Sequence, residues 1–224
     1  MVTAATDFKI HIVGGPGSGK SVLGSRLACR AGTRVWCLDD LALADGVHPD
    51  FRPRRALADR KRELEQITAT SSWISEGSYL WWTHLLFERA DVIIWLDPPW
   101  RLAARRILIR HVRAYWNDVR RGQDLKARLR ALRYPHFADL VSFFRWSSRY
   151  YKTAEAPDSS QDPDDMRALT RSATRSYLSA HDSKVVHLTA PGLEPALAAL
   201  AARNWRFSAG PIAAMPREAE ARLR

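Results

Sequence analysis

Cysteine is scarce in this chain: two residues in 224, Cys29 and Cys37. Their spacing matches no metal or redox motif, so they read as reduced core thiols of a cytosolic protein. No run of about eighteen apolar residues occurs, which excludes a membrane-spanning helix. Residues 1–9 lack a charged segment followed by an apolar one and do not read as a secretory signal. The seven histidines do not cluster with other ligand types, so they read as structural or surface residues. No internal repeat is visible.

Negative charge is scarce in one region above all. Residues 101–152 hold twelve Arg and two Lys against three Asp, an excess of eleven that equals the chain's whole net charge of +11. That segment calls for an anionic partner: a polyphosphate, a nucleic acid or an acidic surface. Hydrophobic residues make up 46% of the chain, enough for a sizeable core in one large domain, or one domain with an insertion.

Apolar runs over residues 8–13, 34–38, 73–75, 91–96 and 184–188 read as short strands. Helical spacing covers residues 19–30, 54–70, 80–89, 163–181 and 194–203. The basic segment over 100–152 is helical in pattern, broken near Gly122 and Pro135. Asp97 before Pro98 and Pro99 reads as an N-cap. Residues 156–165, "APDSSQDPDD", read as a mobile loop, and 207–224 as a flexible tail. Strands alternating with helices predict a parallel α/β sheet covered on both faces, with ligands at the carboxyl ends of the strands. The turns at 14–21, Asp39-Asp40, Glu76-Gly77 and Asp97 all follow predicted strands.

The most informative stretch is "GGPGSGKS", comprising Gly14, Gly15, Pro16, Gly17, Ser18, Gly19, Lys20 and Ser21. It fits G-x-x-x-x-G-K-S/T between a strand and a helix, which is the P-loop context. Glycines let successive N–H groups point inward, and the following helix aims its positive end at the same anion. Lys20 has the reach for β- and γ-phosphates, and the Ser21 hydroxyl for Mg²⁺. ATP is the expected nucleotide: no N-K-x-D guanine-reading motif occurs. "VIIWLD" ends in one acid followed by proline, unlike the apolar run ending in two acids of motor ATPases. A kinase is the remaining reading.

Here a resemblance enters. "IWLDPPWRLAARRILIR" resembles the adenylate-kinase-like P-loop kinases, in which Leu-Asp-x-Pro leads into a helix with two arginines four apart. Here those are Arg106 and Arg110. "CLDD" and "WISEGSY" resemble the bacterial DNA topology modulation protein branch, whose pattern is Leu-Asp after the second strand and then Trp-Val/Ile-Ile-Asp-Gly-Asn-Tyr. Glu76 stands for the usual Asp and Ser78 for the usual Asn. The resemblance covers roughly residues 8–150. It implies a five-stranded parallel P-loop core, nucleoside-monophosphate-kinase-like, with a helical Arg-rich lid at about 111–165 inside one domain spanning 1–206.

Phosphoryl transfer mostly requires positioning and charge cancellation. Lys20, Arg106 and Arg110 are the candidates to surround the migrating group, the two arginines lying one helical turn apart; a solvated helix face is the other reading. Asp39 lies where related kinases meet the acceptor. It would orient or deprotonate a hydroxyl acceptor, whereas a phosphate acceptor needs no base. Ser21 and Glu76 are the candidates to hold Mg²⁺, Glu76 through water, with Asp97 the other candidate for that acid. Trp81 and Trp82 would stack on an acceptor base or belong to the core. The expected function is transfer of the ATP γ-phosphoryl group to a nucleotide or other small acceptor, in the cytoplasm. The other function class is a nucleotide-regulated nucleic-acid-binding protein, its backbone contacts made by residues 101–152 with their interleaved aromatics.

Overall fold

The computed structural model describes residues 7–44, 53–121, 135–154, 168–190 and 192–203. Their strands are β1 (Lys9–Gly14), β2 (Val35–Cys37), β3 (Trp73–Gly77), β4 (Val92–Leu96) and β5 (Val185–Leu188). They form one all-parallel sheet in the order β2-β3-β1-β4-β5. The three inner strands are the most completely buried, because both their faces are covered. β2 lies at an edge and is half-buried along its length.

The helices are α1 (Lys20–Ala31), α2 (Leu38–Ala42), α3 (Leu57–Ala69), α4 (His84–Arg89), α5 (Trp100–Arg121), α6 (Pro135–Lys152), α7 (Arg171–Ser179) and α8 (Leu193–Ala201). The period-two alternation of the strands separates two cores. Ile10, Ile12, Ile74, Ile94 and Leu96 join Leu23 and Leu27 of α1 and Leu200 of α8. Each of those α1 leucines contributes on the order of 2 kcal/mol of burial. Val13, Trp73, Ile93 and Trp95 join Leu64 of α3, Phe87 of α4, Tyr150 of α6 and Leu178 of α7.

Several boundaries move for local reasons. Asp39 and Asp40 do not end in an open loop; they lie in the first turn of α2, where acidic side chains suit the helix dipole. The helix predicted over 163–181 starts at Arg171, because Thr170 is extended and its hydroxyl accepts from the Ala173 N–H. The helix predicted over 80–89 is confined to α4, since Thr83 bonds back to the Tyr79 carbonyl ahead of it. α5 and α6 pack together and form the described parts of the expected lid. Gly122, the acidic stretch 156–165 and the tail 207–224 lie outside the described residues.

Candidate functional site

The register brings every strand's carboxyl end to one edge. Cys37 is level with Glu76, Ile12 with Glu76, Gly14 with Leu96, and Leu96 with Leu188. The glycine turn leaves β1 there and curls back into α1. Gly17 sits at φ +71°, and a Cβ on it would come 2.6 Å from the Ala103 carbonyl of α5. Only glycine combines that backbone with that approach.

Lys20 opens α1, and its Nζ donates to the Gly15 carbonyl at 3.1 Å. Burial pushes the ammonium below its ordinary pKa, opposed by the charges of Glu76 and Asp39. Alternation along β3 puts Glu76 on the α1 face with Ile74, and there the Ser21 hydroxyl donates to Glu76 Oε1 at 3.0 Å. Glu76 is 4% exposed. Burial first, and then the Glu76 and Asp39 charges, push the Cys37 thiol up, so it stays protonated beside them.

Across the cavity Asp39 is exposed, and Tyr79 donates its phenol to Asp39 Oδ1 at 3.0 Å. Burial, and next the Asp39 charge, push the Tyr79 phenol far up, which keeps it a donor. Arg110 lies within electrostatic reach of both Asp39 and Lys20, with its guanidinium 5.5 Å from the Phe143 ring centre. Arg106 takes a different position: its Nη1 donates to the Ser18 carbonyl at 3.0 Å. Ser21, Lys20, Asp39, Glu76, Tyr79, Arg106 and Arg110 line one cavity of about 680 Å³, together with Phe143 and Trp146.

The turn fits a polyphosphate on the structure's own terms. Gly17 and Gly19 hold positive φ angles of 71° and 99°, the backbone packs where a Cβ would collide with Leu96, Tyr150 and Ala103, and Lys20 stands at the end of the turn. Ser21 and Glu76 supply two oxygen donors, which suits a hard cation that takes its other ligands from phosphate and water. No group of three or more His, Cys, Asp or Glu side chains is gathered for a metal among the described residues.

Asp97 does not cap α5: the Leu102 and Ala103 amides bond to the Pro99 carbonyl, which leaves Pro99 at the cap position, and Asp97 does not line the cavity. Its carboxylate, 5% exposed, pairs with Arg171 Nε at 2.6 Å and His187 Nε2 at 3.1 Å. Trp82 belongs to the core and is 1% exposed, while Trp81 is half-buried against that core. Nothing in the sequence assigns a role to Tyr79, although it closes the "WISEGSY" stretch. Nor does anything there flag Tyr151, whose hydroxyl donates to the Pro16 carbonyl at 3.0 Å from a position 135 residues away.

No protein-family model matches the chain. A Bacillus subtilis (strain 168) protein, the uncharacterized protein YqaC, is 26% identical over 142 residues, covering 63% of this chain and 71% of its own length. A gluconokinase from Sinorhizobium meliloti 1021 superposes over 88% of this chain and 94% of its own, with a TM-score of 0.44 and 17% identity.

Proposed function

We propose that this chain is a P-loop phosphotransferase that binds ATP and Mg²⁺ at residues 14–21 and passes the γ-phosphoryl group to a small acceptor. One observation carries the reading. A phosphate-type turn with its lysine, a hydroxyl–carboxylate pair and a second carboxylate held by a tyrosine converge on a single cavity at the carboxyl edge of a parallel sheet. ATP with its metal supplies the transferable phosphoryl group. The chain supplies position and charge. Lys20 and Arg110 offset negative charge on either side of the cavity, and Arg106 stands at its rim on the turn itself. Ser21 and Glu76 would hold the metal, Ser21 directly and Glu76 through water. Asp39 lines the cavity and accepts from Tyr79 at Oδ1, which supports a role for its other oxygen in taking a proton from a hydroxyl acceptor.

The arginines at 106 and 110 line the cavity, which supports their use on a bound phosphate ahead of a role along a nucleic-acid backbone. ADP release should be screened with ATP, Mg²⁺ and a panel of nucleotides, nucleosides and other hydroxyl compounds, with Lys20→Ala as control. The reading expects release that depends on one acceptor class and is lost in Lys20→Ala. A flat panel, or salt-sensitive DNA binding indifferent to Lys20→Ala, would overturn it.

A further inference from the structure

Four carbonyl oxygens of the glycine turn are held by side chains. Ser78 donates to Gly14 O at 2.9 Å, Lys20 to Gly15 O at 3.1 Å, Tyr151 to Pro16 O at 3.0 Å and Arg106 to Ser18 O at 3.0 Å. These donors come from four separate places: the residue after β3, the start of α1, the end of α6 and the middle of α5. A planar trans peptide points its C=O and the following N–H in opposite directions, and no cis bond occurs among the described residues. Fixing the Gly14, Pro16 and Ser18 carbonyls therefore fixes the N–H groups of Gly15, Gly17 and Gly19. Tyr151 does not line the cavity, whereas Pro16 and Gly17 do. A carbonyl turned back to Tyr151 sends the Gly17 N–H the other way, to the cavity side.

We propose that Tyr151 is a positioning residue of the phosphate cradle. By drawing the Pro16 carbonyl outward from behind, it presets the Gly17 N–H as an anion donor. The inference rests on the phosphotransferase reading for the identity of the anion, and on geometry alone for the orientation of the turn.

Tyr151 is itself rigidly placed. It is 7% exposed, its ring lies edge-on to Tyr150 at 4.9 Å and tilted against Trp100 at 5.4 Å, and the Arg171 guanidinium sits 5.2 Å from it. Arg171 is anchored in turn by Asp97 and by the Pro98 carbonyl at 3.0 Å. Burial keeps the phenol protonated, so it remains a donor. The turn's geometry thus depends on the segment beyond the fourth strand, and a preset donor costs no reorganisation when the anion arrives.

The test compares the full-length wild type with Tyr151→Phe, which removes only the hydroxyl, and with Thr174→Val. The latter removes a buried hydroxyl from the same α6–α7 contact, where it partners Tyr150 and not the turn. Amide hydrogen exchange over residues 15–19 is measured without nucleotide, and binding of ATP with Mg²⁺ by calorimetry. Tyr151→Phe should speed exchange in the turn and weaken ATP binding about five-fold, the size of one neutral hydrogen bond. Thr174→Val should lower the unfolding midpoint and change neither. Equal exchange in wild type and Tyr151→Phe overturns the inference, as does an equal effect of Thr174→Val. Wild type that binds no ATP, or binds it equally as Lys20→Ala, sinks the phosphotransferase reading instead, and the exchange comparison still decides the role of Tyr151.

Discussion

His11 lies in the middle of β1 with no exposed surface, its Nδ1 2.9 Å from the Ser75 hydroxyl and its ring edge-on to Phe87 at 4.6 Å. Burial lowers its pKa to about 3, from an ordinary value near 6.5. The folded state therefore keeps it neutral while the unfolded chain binds a proton below about pH 6.5. This stabilising contribution is complete above that pH and is lost as pH falls toward 3. Urea unfolding at pH 7.5 and pH 5 should show a smaller drop for His11→Leu than for wild type. A second residue-scale prediction separates the two arginines. Arg110 faces Asp39 and Lys20, so Arg110→Ala should cut turnover about a hundred-fold and leave ATP affinity within about two-fold. Arg106 holds the turn's backbone, so Arg106→Ala should weaken ATP binding as well. Titration calorimetry beside initial rates distinguishes them. The resemblance singled out both arginines; that one bonds the turn and the other interacts with Asp39 is not legible there, because helical spacing places residues on a face without saying what faces them.

At the scale of elements, the end of β4 is joined to α7 and β5 through Asp97. Arg171 and His187 converge on that buried carboxylate. Asp97→Ala would strand the Arg171 guanidinium, which is only 30% exposed, without its partner. Loss of one member of a buried pair costs about 3 kcal/mol. Urea denaturation should show a destabilisation of about that size, with Asp97→Asn in between. The local sequence, Asp before two prolines, has the pattern of a helix cap. The partner that overrides the cap lies 74 residues further along, beyond the reach of local patterning. The inner strand β4 was readable because burial on both faces demands an apolar run such as VIIWL. The short α2 was not, because five residues carry too little periodicity.

At the scale of the whole molecule, one sheet edge collects the turn after β1, Asp39 after β2 and Glu76 within β3. Glu76 faces Ser21 and not the opposite core because strand alternation puts it on the α1 side, in line with Ile74. If that pair holds the metal, Glu76→Gln should raise the Mg²⁺ concentration for half-maximal ADP release about ten-fold, a chelator should abolish release, and the far-ultraviolet circular dichroism should not change. Among the described residues no helix is long and apolar enough to cross a membrane. The excess positive charge of residues 101–152 is divided: Arg106, Arg110 and Arg113 line the cavity, while Arg101 and Arg105 lie outside it.

By itself the sequence determined the parallel α/β architecture, the phosphate-type turn and the Lys20, Ser21, Glu76 and Asp39 positions around it. Those features are local: apolar runs, a glycine pattern and residues that immediately follow strands. Only the tertiary structure decided that Tyr79 holds Asp39, that Arg106 and Tyr151 hold carbonyls of the turn, and that Asp97 pairs with Arg171 and His187. Those contacts join residues 40 to 135 positions apart. A side chain's hydrogen-bond partner is set by which elements the core brings together, and no spacing within one element encodes it.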